Sequence, residues 1–496
     1  MEAKQNENIK KSKIIVSLLK YTGKGLLAIL LILSIIFQLP WKVITLLAIF
    51  LAAGTILPGR FRKWFWLTAG SAALILTIWI LLPEDNMGWR PYTFDKEIAS
   101  YKAKYEIPDQ ENALAIYSLL ISKKENLFFD FPDLSQDDYT INHFWTTKEY
   151  PELADWLSNR EDIIKVLFEG AKKDKCQFPI DFQIEWPQIT QDLLHVFRYS
   201  IEIAIRSANN DIAENHFEQA IEKYLCISKI ARQISAQQNI FDYLYGTSLE
   251  YRALKQINMF VIEKEPAKEQ LQLLLQTIDN VQNNWETDFK KMLEFDSLLL
   301  KSNFARTYEV NGKGRTRISR NPEVPIIEIY GHSIITGRFI PDIHPHKFNS
   351  VIAWFYLPFT PKKAADIFES NFSQCYQMAK PDFDWDFEKP YMDLHFVFNY
   401  SKLIKDFVTY RKNEYYPFIH ERYLRSLTFC RGTHVSIALR QYKNENGKWP
   451  DRLEEIKSLA PAEAFIDPAT GKQLPYENEG EQFSLSGELI KIWPFE

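Results

Sequence analysis

Nineteen consecutive residues without a charge, Trp64–Leu82 (WFWLTAGSAALILTIWILL), constrain this chain more than any other feature. At 1.5 Å per residue the run makes a helix of about 28 Å, matching the hydrocarbon core of a bilayer. Two further apolar runs of fifteen residues, Gly25–Leu39 and Val43–Leu57, precede it and are separated by Pro40-Trp41-Lys42. Tyr21 and Trp41 extend them toward spanning length, so residues 1–83 are expected to form an anchor of three transmembrane helices. A signal peptide fits less well, because Phe37-Gln38-Leu39-Pro40 has no small-x-small cleavage site and apolar sequence resumes directly.

Charge orients this anchor. Residues 1–83 carry ten Lys and Arg against Glu2 and Glu7, a net of +8, which leaves −13 on the remainder. The lysine-rich tail before Gly25 and the Arg60-Phe61-Arg62-Lys63 cluster are expected to stay cytoplasmic, with Glu84-Asp85 on the far side. If the first two runs only dip into the bilayer and return, Trp64–Leu82 still exits, so the large body is expected outside the cytoplasm, on the periplasmic side, either way. An acidic body without a basic stripe is a poor nucleic-acid binder. The expected partners are the lipid bilayer and another envelope protein.

The body itself reads as mainly α. With 15% aromatic residues and only 17 Gly among its 496 residues, the chain is composed to fold compactly. Apolar stripes at Ala113-Leu114, Ile116-Tyr117 and Leu119-Leu120, then at Leu153, Trp156-Leu157, Ile163-Ile164 and Leu167-Phe168, have helical period. After Cys176-Gln177-Phe178-Pro179, long helices are predicted near Pro187–Ala208, Asp211–Ala236, Asn239–Glu263 and Trp285–Tyr308, with a shorter one at Ala267–Val281. Residues 216–224 look like the second helix of a tetratricopeptide repeat, with Ala220 and Tyr224 at its packing positions, and no second copy follows at a 34-residue period. The implied organisation is a stack of helical hairpins over 84–308, a long irregular segment over 309–350, a second helical unit over 351–437 and a small α+β module over 438–496. Within these, Asn311–Arg320 reads as a basic loop, Val324–Tyr330 as a β-branched stretch, and helices are predicted at Pro361–Ala379, Asp393–Tyr410 and Tyr416–Tyr442.

The C-terminal module carries the most specific pattern. Gly447 is placed to end a helix in the left-handed conformation, and Trp449-Pro450 fixes the exit of the chain while the indole covers a small core with Tyr442, Tyr476 and Phe483. A short helix is predicted at Asp451–Leu459. Asp467-Pro468-Ala469-Thr470-Gly471 has turn chemistry, and Tyr476 and Phe483 are expected on the strands of a hairpin. The core of the module is expected to be nearly separate from the helices before it. The pattern over Ala438–Gly487 resembles the C-terminal part of type II secretion major pseudopilins and, more closely, a module at the end of many bacterial envelope proteins of unknown activity. The prepilin-peptidase site and single N-terminal helix of a pseudopilin have no counterpart here. Pro151-Glu152-Leu153, Trp156-Leu157 and Cys176-Gln177-Phe178-Pro179 are also similar to those envelope proteins, a resemblance that spans much of 105–490 and implies no activity.

Chemistry-bearing clusters are sparse. His420-Glu421-Arg422-Tyr423-Leu424 has no second His for a zincin helix, and Gly331-His332-Ser333 lacks the second glycine of a nucleophile elbow. Asp342, His344 and His346, with His332 upstream, bring together ligand types suited to a divalent metal, and the plain alternative is a solvated Pro/His loop. Asp382, Asp384 and Asp386 alternate with Phe383, Trp385 and Phe387, so an extended chain would present acids on one face and rings on the other. Arg315, Arg317 and Arg320 could meet acidic headgroups if their loop reached the membrane, and otherwise face solvent. Cys176, Cys226, Cys375 and Cys430 have no metal-ligand spacing and read as buried thiols, with disulfides the alternative in an oxidising compartment. No cofactor is implied. The expected role is an interaction scaffold, with a metal-dependent hydrolase built on Asp342/His344/His346 and a component of a secretion or pilus-like machine as rivals.

Overall fold

The computed structural model describes residues 89–123, 137–180, 188–279, 284–305, 308–312, 316–318, 360–380, 383–385 and 415–495, with single positions elsewhere. The expected membrane helices, Val324–Tyr330, Pro341–His346 and the helix at Asp393–Tyr410 lie outside the described residues, apart from scattered positions in 59–68. Among those described, no helix is long and apolar enough to cross a membrane.

The described elements begin with β1 (Trp89–Pro91), α1 (Asp95–Tyr105), α2 (Leu114–Ser122), α3 (Asp137–Asn142), α4 (Pro151–Ser158) and α5 (Glu161–Ala171). Then come the long helices α6 (Gln188–Ala213), α7 (Phe217–Ser235) and α8 (Ile240–Glu263), followed by α9 (Lys268–Asp279) and α10 (Trp285–Ala305). After the short strands β2 (Tyr308–Asn311) and β3 (Thr316–Ile318) come α11 (Pro361–Phe372) and α12 (Tyr416–Asn446). The chain closes with β4 (Tyr476–Asn478), β5 (Phe483–Ser486) and β6 (Lys491–Trp493). The fold is mainly helical with a small sheet content, as expected. By contact it divides into two compact units, one holding 94–300, 372–389 and 411–496 and the other 1–93, 301–371 and 390–410.

The larger unit is built on α6, α7, α8 and α12. Asn239 starts α8 by accepting a hydrogen bond from the Phe241 N–H at 2.9 Å, a side-chain cap that satisfies one of the orphan donors of the first turn. Gly246 lets α8 approach α7 closely, because a Cβ there would run into the backbone of Ala231 and Ser235. One apolar cluster joins α2, α4, α5, α6 and α7 around Tyr117, Trp145 and Phe197. Leu119, assigned to the α2 stripe by periodicity, instead points outward and is 54% exposed.

The helix break expected between Ala208 and Asp211 does not occur. Asn209 and Asn210 ordinarily compete with helical backbone, but here their side chains are occupied elsewhere. The Asn209 amide donates to the carbonyls of Thr140 and Ile141 at 3.1 and 3.0 Å and accepts from the Tyr224 hydroxyl at 2.7 Å, while Asn210 donates to Trp145 O at 3.1 Å. The helix therefore continues to Ala213 and breaks at Asn215, whose φ is +64°. Ala220 and Tyr224 are fully buried on α7.

The second cluster corrects the expectation of a nearly separate C-terminal core. Ala208, Tyr224, Leu254, Phe260 and Leu271 of the helical stack belong to the same cluster as Phe429, Leu439, Trp449, Phe483 and Ile492. Gly432 allows this, since a side chain there would collide with Ile492. Arg440, 3% exposed on α12, donates to Val261 O at 2.7 Å and to Ile262 O, satisfying the last carbonyls of α8.

Within the C-terminal region, α12 ends as expected at Gly447, with φ +76° and its N–H on Lys443 O at 2.8 Å. The helix predicted at Asp451–Leu459 is a single 3-10 turn, Leu453–Ile456, because only its two end residues are buried. Trp449 is buried with its ring edge-on to Phe483 at 4.7 Å and its Nε1 donating to Glu481 O at 3.0 Å. The Pro450 carbonyl accepts from Tyr476 Oη at 2.8 Å and from Asn478 at 3.0 Å. Tyr442 is half-buried against the same cluster, its hydroxyl on Glu455 at 2.6 Å. Asp467 holds the turn: its carboxylate accepts from Thr428, Ala469 and the Glu488 N–H, and its carbonyl from Gly471, whose φ is +69°. Pro468 sits inside that turn. The predicted hairpin exists, with Tyr476 opposite Leu485 and Asn478 opposite Phe483, and an unforeseen third strand, β6, completes an antiparallel sheet.

In the smaller unit β1, β2 and β3 form an antiparallel sheet in that order, with Trp89 opposite Asn311 and Tyr308 opposite Ile318. Two expectations change here. Tyr308 starts a strand instead of ending a helix, and the basic loop from Asn311 is the turn of a hairpin, where Gly314 has φ +73° and donates to Asn311 O at 2.9 Å. Thr360 caps α11 through Lys363 N, and Ala364, Ala365 and Phe368 form its buried face.

Candidate functional site

The larger unit contains a cleft of about 1060 Å³, at the upper end of the range typical of ligand pockets. One face of α7 forms its wall: Glu222, Leu225, Cys226, Lys229, Arg232 and Gln233 recur every three or four residues and all line it. The opposite side comes from the ends of α1 and α5, with Lys104 to Ile107 from one, and Phe168, Ala171, Lys172 and Asp174 to Cys176 from the other. Lys291 of α10 closes the remaining edge beside Ala236 and Gln238.

Amide side chains brace these walls. Gln233 accepts from the Tyr117 hydroxyl at 2.5 Å and donates to Lys173 O at 2.7 Å, tying α7 to the chain after α5. Gln237 holds the next residues, donating to Cys176 O at 2.7 Å and accepting from Phe178 N at 2.9 Å. Gln177 accepts from Ile107 N just after α1, Asn112 accepts from Leu114 N of α2 and from Gln177 N, and a backbone bond from Ala113 N–H to Lys175 O reinforces them. Gly170 permits the fit, since a Cβ there would enter the Tyr117 ring.

The charged groups fall into two kinds. Arg232 reaches Glu250 at 3.6 Å, and the Lys291 ammonium donates to Ala236 O at the C-terminal end of α7. Burial pulls both cations below their ordinary range, with Glu250 and Asp288 respectively opposing the shift. By contrast, Lys104, Lys172, Lys175 and Lys229 pair with Glu294, Glu169, Glu111 and Asp174 while their own side chains stay 40–68% exposed. Exposed pairs of this kind contribute about 0–1 kcal/mol and exchange easily. Cys176 and Cys226 lie in the apolar part of the wall, where burial pushes both thiols up to about 12. All four cysteines are free thiols.

Phe383, Asp384, Trp385 and Arg317, the described members of the clusters singled out in the sequence, are not among the residues that line this cleft. Asp342, His344, His346 and His332 lie outside the described residues, as do Asp382, Asp386, Phe387, Arg315 and Arg320. Asp384 is exposed while Phe383 and Trp385 are half-buried, and Arg317 lies opposite Glu309 in the small sheet. Among the described residues no group of three or more His, Cys, Asp or Glu is placed to hold a metal. His420 stacks on Trp385 at 4.0 Å and 7°, with Trp285 edge-on at 4.9 Å, and burial lowers its pKa to about 4. The cleft went unseen in the sequence because its cations are scattered over three helices and the segment after α5. The α7 stripe of Cys226, Lys229 and Arg232 beside apolar Leu225 was its one visible trace.

No protein-family model matches the chain, and neither curated proteins nor solved structures yield a match.

Proposed function

We propose that this chain is a membrane-anchored envelope protein whose helical body is an interaction scaffold, using the cleft beside α7 to hold a partner. One observation carries the reading: the cleft is braced from several elements by side-chain amides, yet four of its lysines, Lys104, Lys172, Lys175 and Lys229, have carboxylate partners in exposed, exchangeable pairs. A preformed wall with replaceable charge partners suits recognition, because little ordering cost attends binding. The anchor rests on the uncharged run Trp64–Leu82 and its positive flanks. The likeness of residues 216–224 to a repeat helix belongs to the same reading, since stacked hairpins commonly offer binding surfaces.

The test has two arms. Fused after Glu496, a reporter enzyme active only outside the cytoplasm should work, and fused after Lys63 it should not. A photo-crosslinking residue at Lys172 should give a discrete protein adduct in membranes, while one at Lys268, away from the cleft lining, should not. A reversed reporter pattern would overturn the anchor, and equal adducts at both positions would overturn the scaffold.

A further inference from the structure

We infer that the partner segment held in the α7 cleft is an acidic stretch of polypeptide that also carries apolar side chains. This deepens the scaffold reading and rests on it. Six cations line the cleft, Lys104, Lys172, Lys175, Lys229, Arg232 and Lys291, against Glu106, Asp174 and Glu222. Most of the carboxylates that pair with the exposed lysines, Glu294, Glu169 and Glu111, are not part of the lining. A ligand carboxylate can therefore replace an outward partner with one inside, at an exchange cost of about 1 kcal/mol or less for each pair.

The distribution of these lysines selects the ligand class. They come from α1, the chain after α5, and α7, so the positive charge is carried by three separate segments of the wall. Several carboxylates spaced along a chain match that spread. Between the lysines, Ile107, Phe168, Leu225 and Ala171 supply apolar surface for the segment's own apolar side chains. The body as a whole is acidic, with net −13 beyond residue 83, so approach from a distance is opposed. Screening confines that repulsion to about 8 Å at physiological ionic strength, and contact inside the cleft decides binding.

The experiment uses the full-length chain in nanodiscs and a fluorescein-labelled heptapeptide of Glu with one Phe and one Leu, read by anisotropy. Binding is expected, weakening as salt rises from 50 to 500 mM, and lost when Lys replaces every Glu in the peptide. The double variant Lys175→Glu/Lys229→Glu should bind at least about tenfold more weakly, the neutral Lys175→Gln/Lys229→Gln pair should lie between, and Lys165→Glu outside the cleft should change little. No binding at 1 mM peptide, or an equal loss in Lys165→Glu, would overturn the inference. Displacement of the peptide by octanoate or inorganic phosphate at comparable concentration would also overturn it, showing a small-anion site. Should the peptide fail while the Lys172 crosslinker still gives its discrete adduct, the scaffold stands and only the acidic-segment inference falls.

Discussion

Replacing Trp449 with Ala tests whether the C-terminal region is an appendage or part of the main core. The indole is 2% exposed, meets Phe483 edge-on at 4.7 Å and has Arg440 and Lys443 over its ring at 4.7 and 4.4 Å. Truncating a buried Trp costs about 3–5 kcal/mol, a range that already contains much of the aromatic pairing. Losing two cations' stacking adds about 1 kcal/mol, because Lys443 remains half in water. A total of about 4–6 kcal/mol is a large share of the roughly 5–15 kcal/mol that a folded protein of ordinary stability possesses. Since Trp449 shares its cluster with Leu254, Phe260 and Leu271, the loss should be felt by the whole larger unit. In urea titrations followed by far-ultraviolet circular dichroism, the major helical transition should shift to lower denaturant as one step. Protease should then degrade the variant well beyond residue 440. A stable fragment ending near 440 with its helical signal intact would refute the shared core, and an unchanged midpoint would refute the role given to the indole.

Protonating His420 should destabilise the fold in acid. Its pKa of about 4 lies below the ordinary 6.5, so the unfolded chain takes up the proton first and stability falls as pH drops from 6.5 to 4, with no contribution above that window. The gap corresponds to about 3 kcal/mol, reduced to about 1–2 by partial solvent access and by imidazolium stacking on Trp385, and His420→Phe should flatten this part of the profile. Asn209→Ala removes the amide's bonds to the Thr140 and Ile141 carbonyls and to the Tyr224 hydroxyl, so a loss of about 2–4 kcal/mol is expected in chemical unfolding, and less than about 1 would remove it as the reason α6 runs on. Cys176, Cys226 and Cys375, each pushed up to about 12, should resist a thiol reagent at pH 8 in the native protein, while unfolding without reductant should release four thiols, fewer indicating a disulfide.

Period and end signals carried most of the helical architecture. Asn239, Gly447 and the stripe Ile163-Ile164-Leu167 mark their helices through local chemistry that tertiary structure had no reason to override. Where sequence reading failed, distant partners were responsible. Asn209 and Asn210 look like breakers until Thr140, Ile141 and Trp145 take up their amides from sixty-odd residues away. Strands β1 to β3 are only three or four residues long, too short for alternation to show, and β2 adds Tyr308 to a preceding helical pattern. Of the candidate site, the α7 stripe was legible as periodic sequence. Its meeting with Lys104, Lys175 and Lys291 depends on packing between segments up to 187 residues apart, which no local pattern encodes.

The clamp of Arg440 on the end of α8 has a consequence for how the chain is made. Arg440 Nε reaches back 179 residues to Val261 O, and the cluster around it needs both 208–278 and 429–492. During synthesis, α6 to α9 emerge long before the surface that covers them, so their apolar faces stay open while some 150 further residues are added. Contacts of such sequence separation form slowly, and surfaces left open in the meantime invite aggregation. A chain that stalls before residue 429 is therefore expected to be a client of chaperones and proteases, with completion of synthesis itself acting as the quality check.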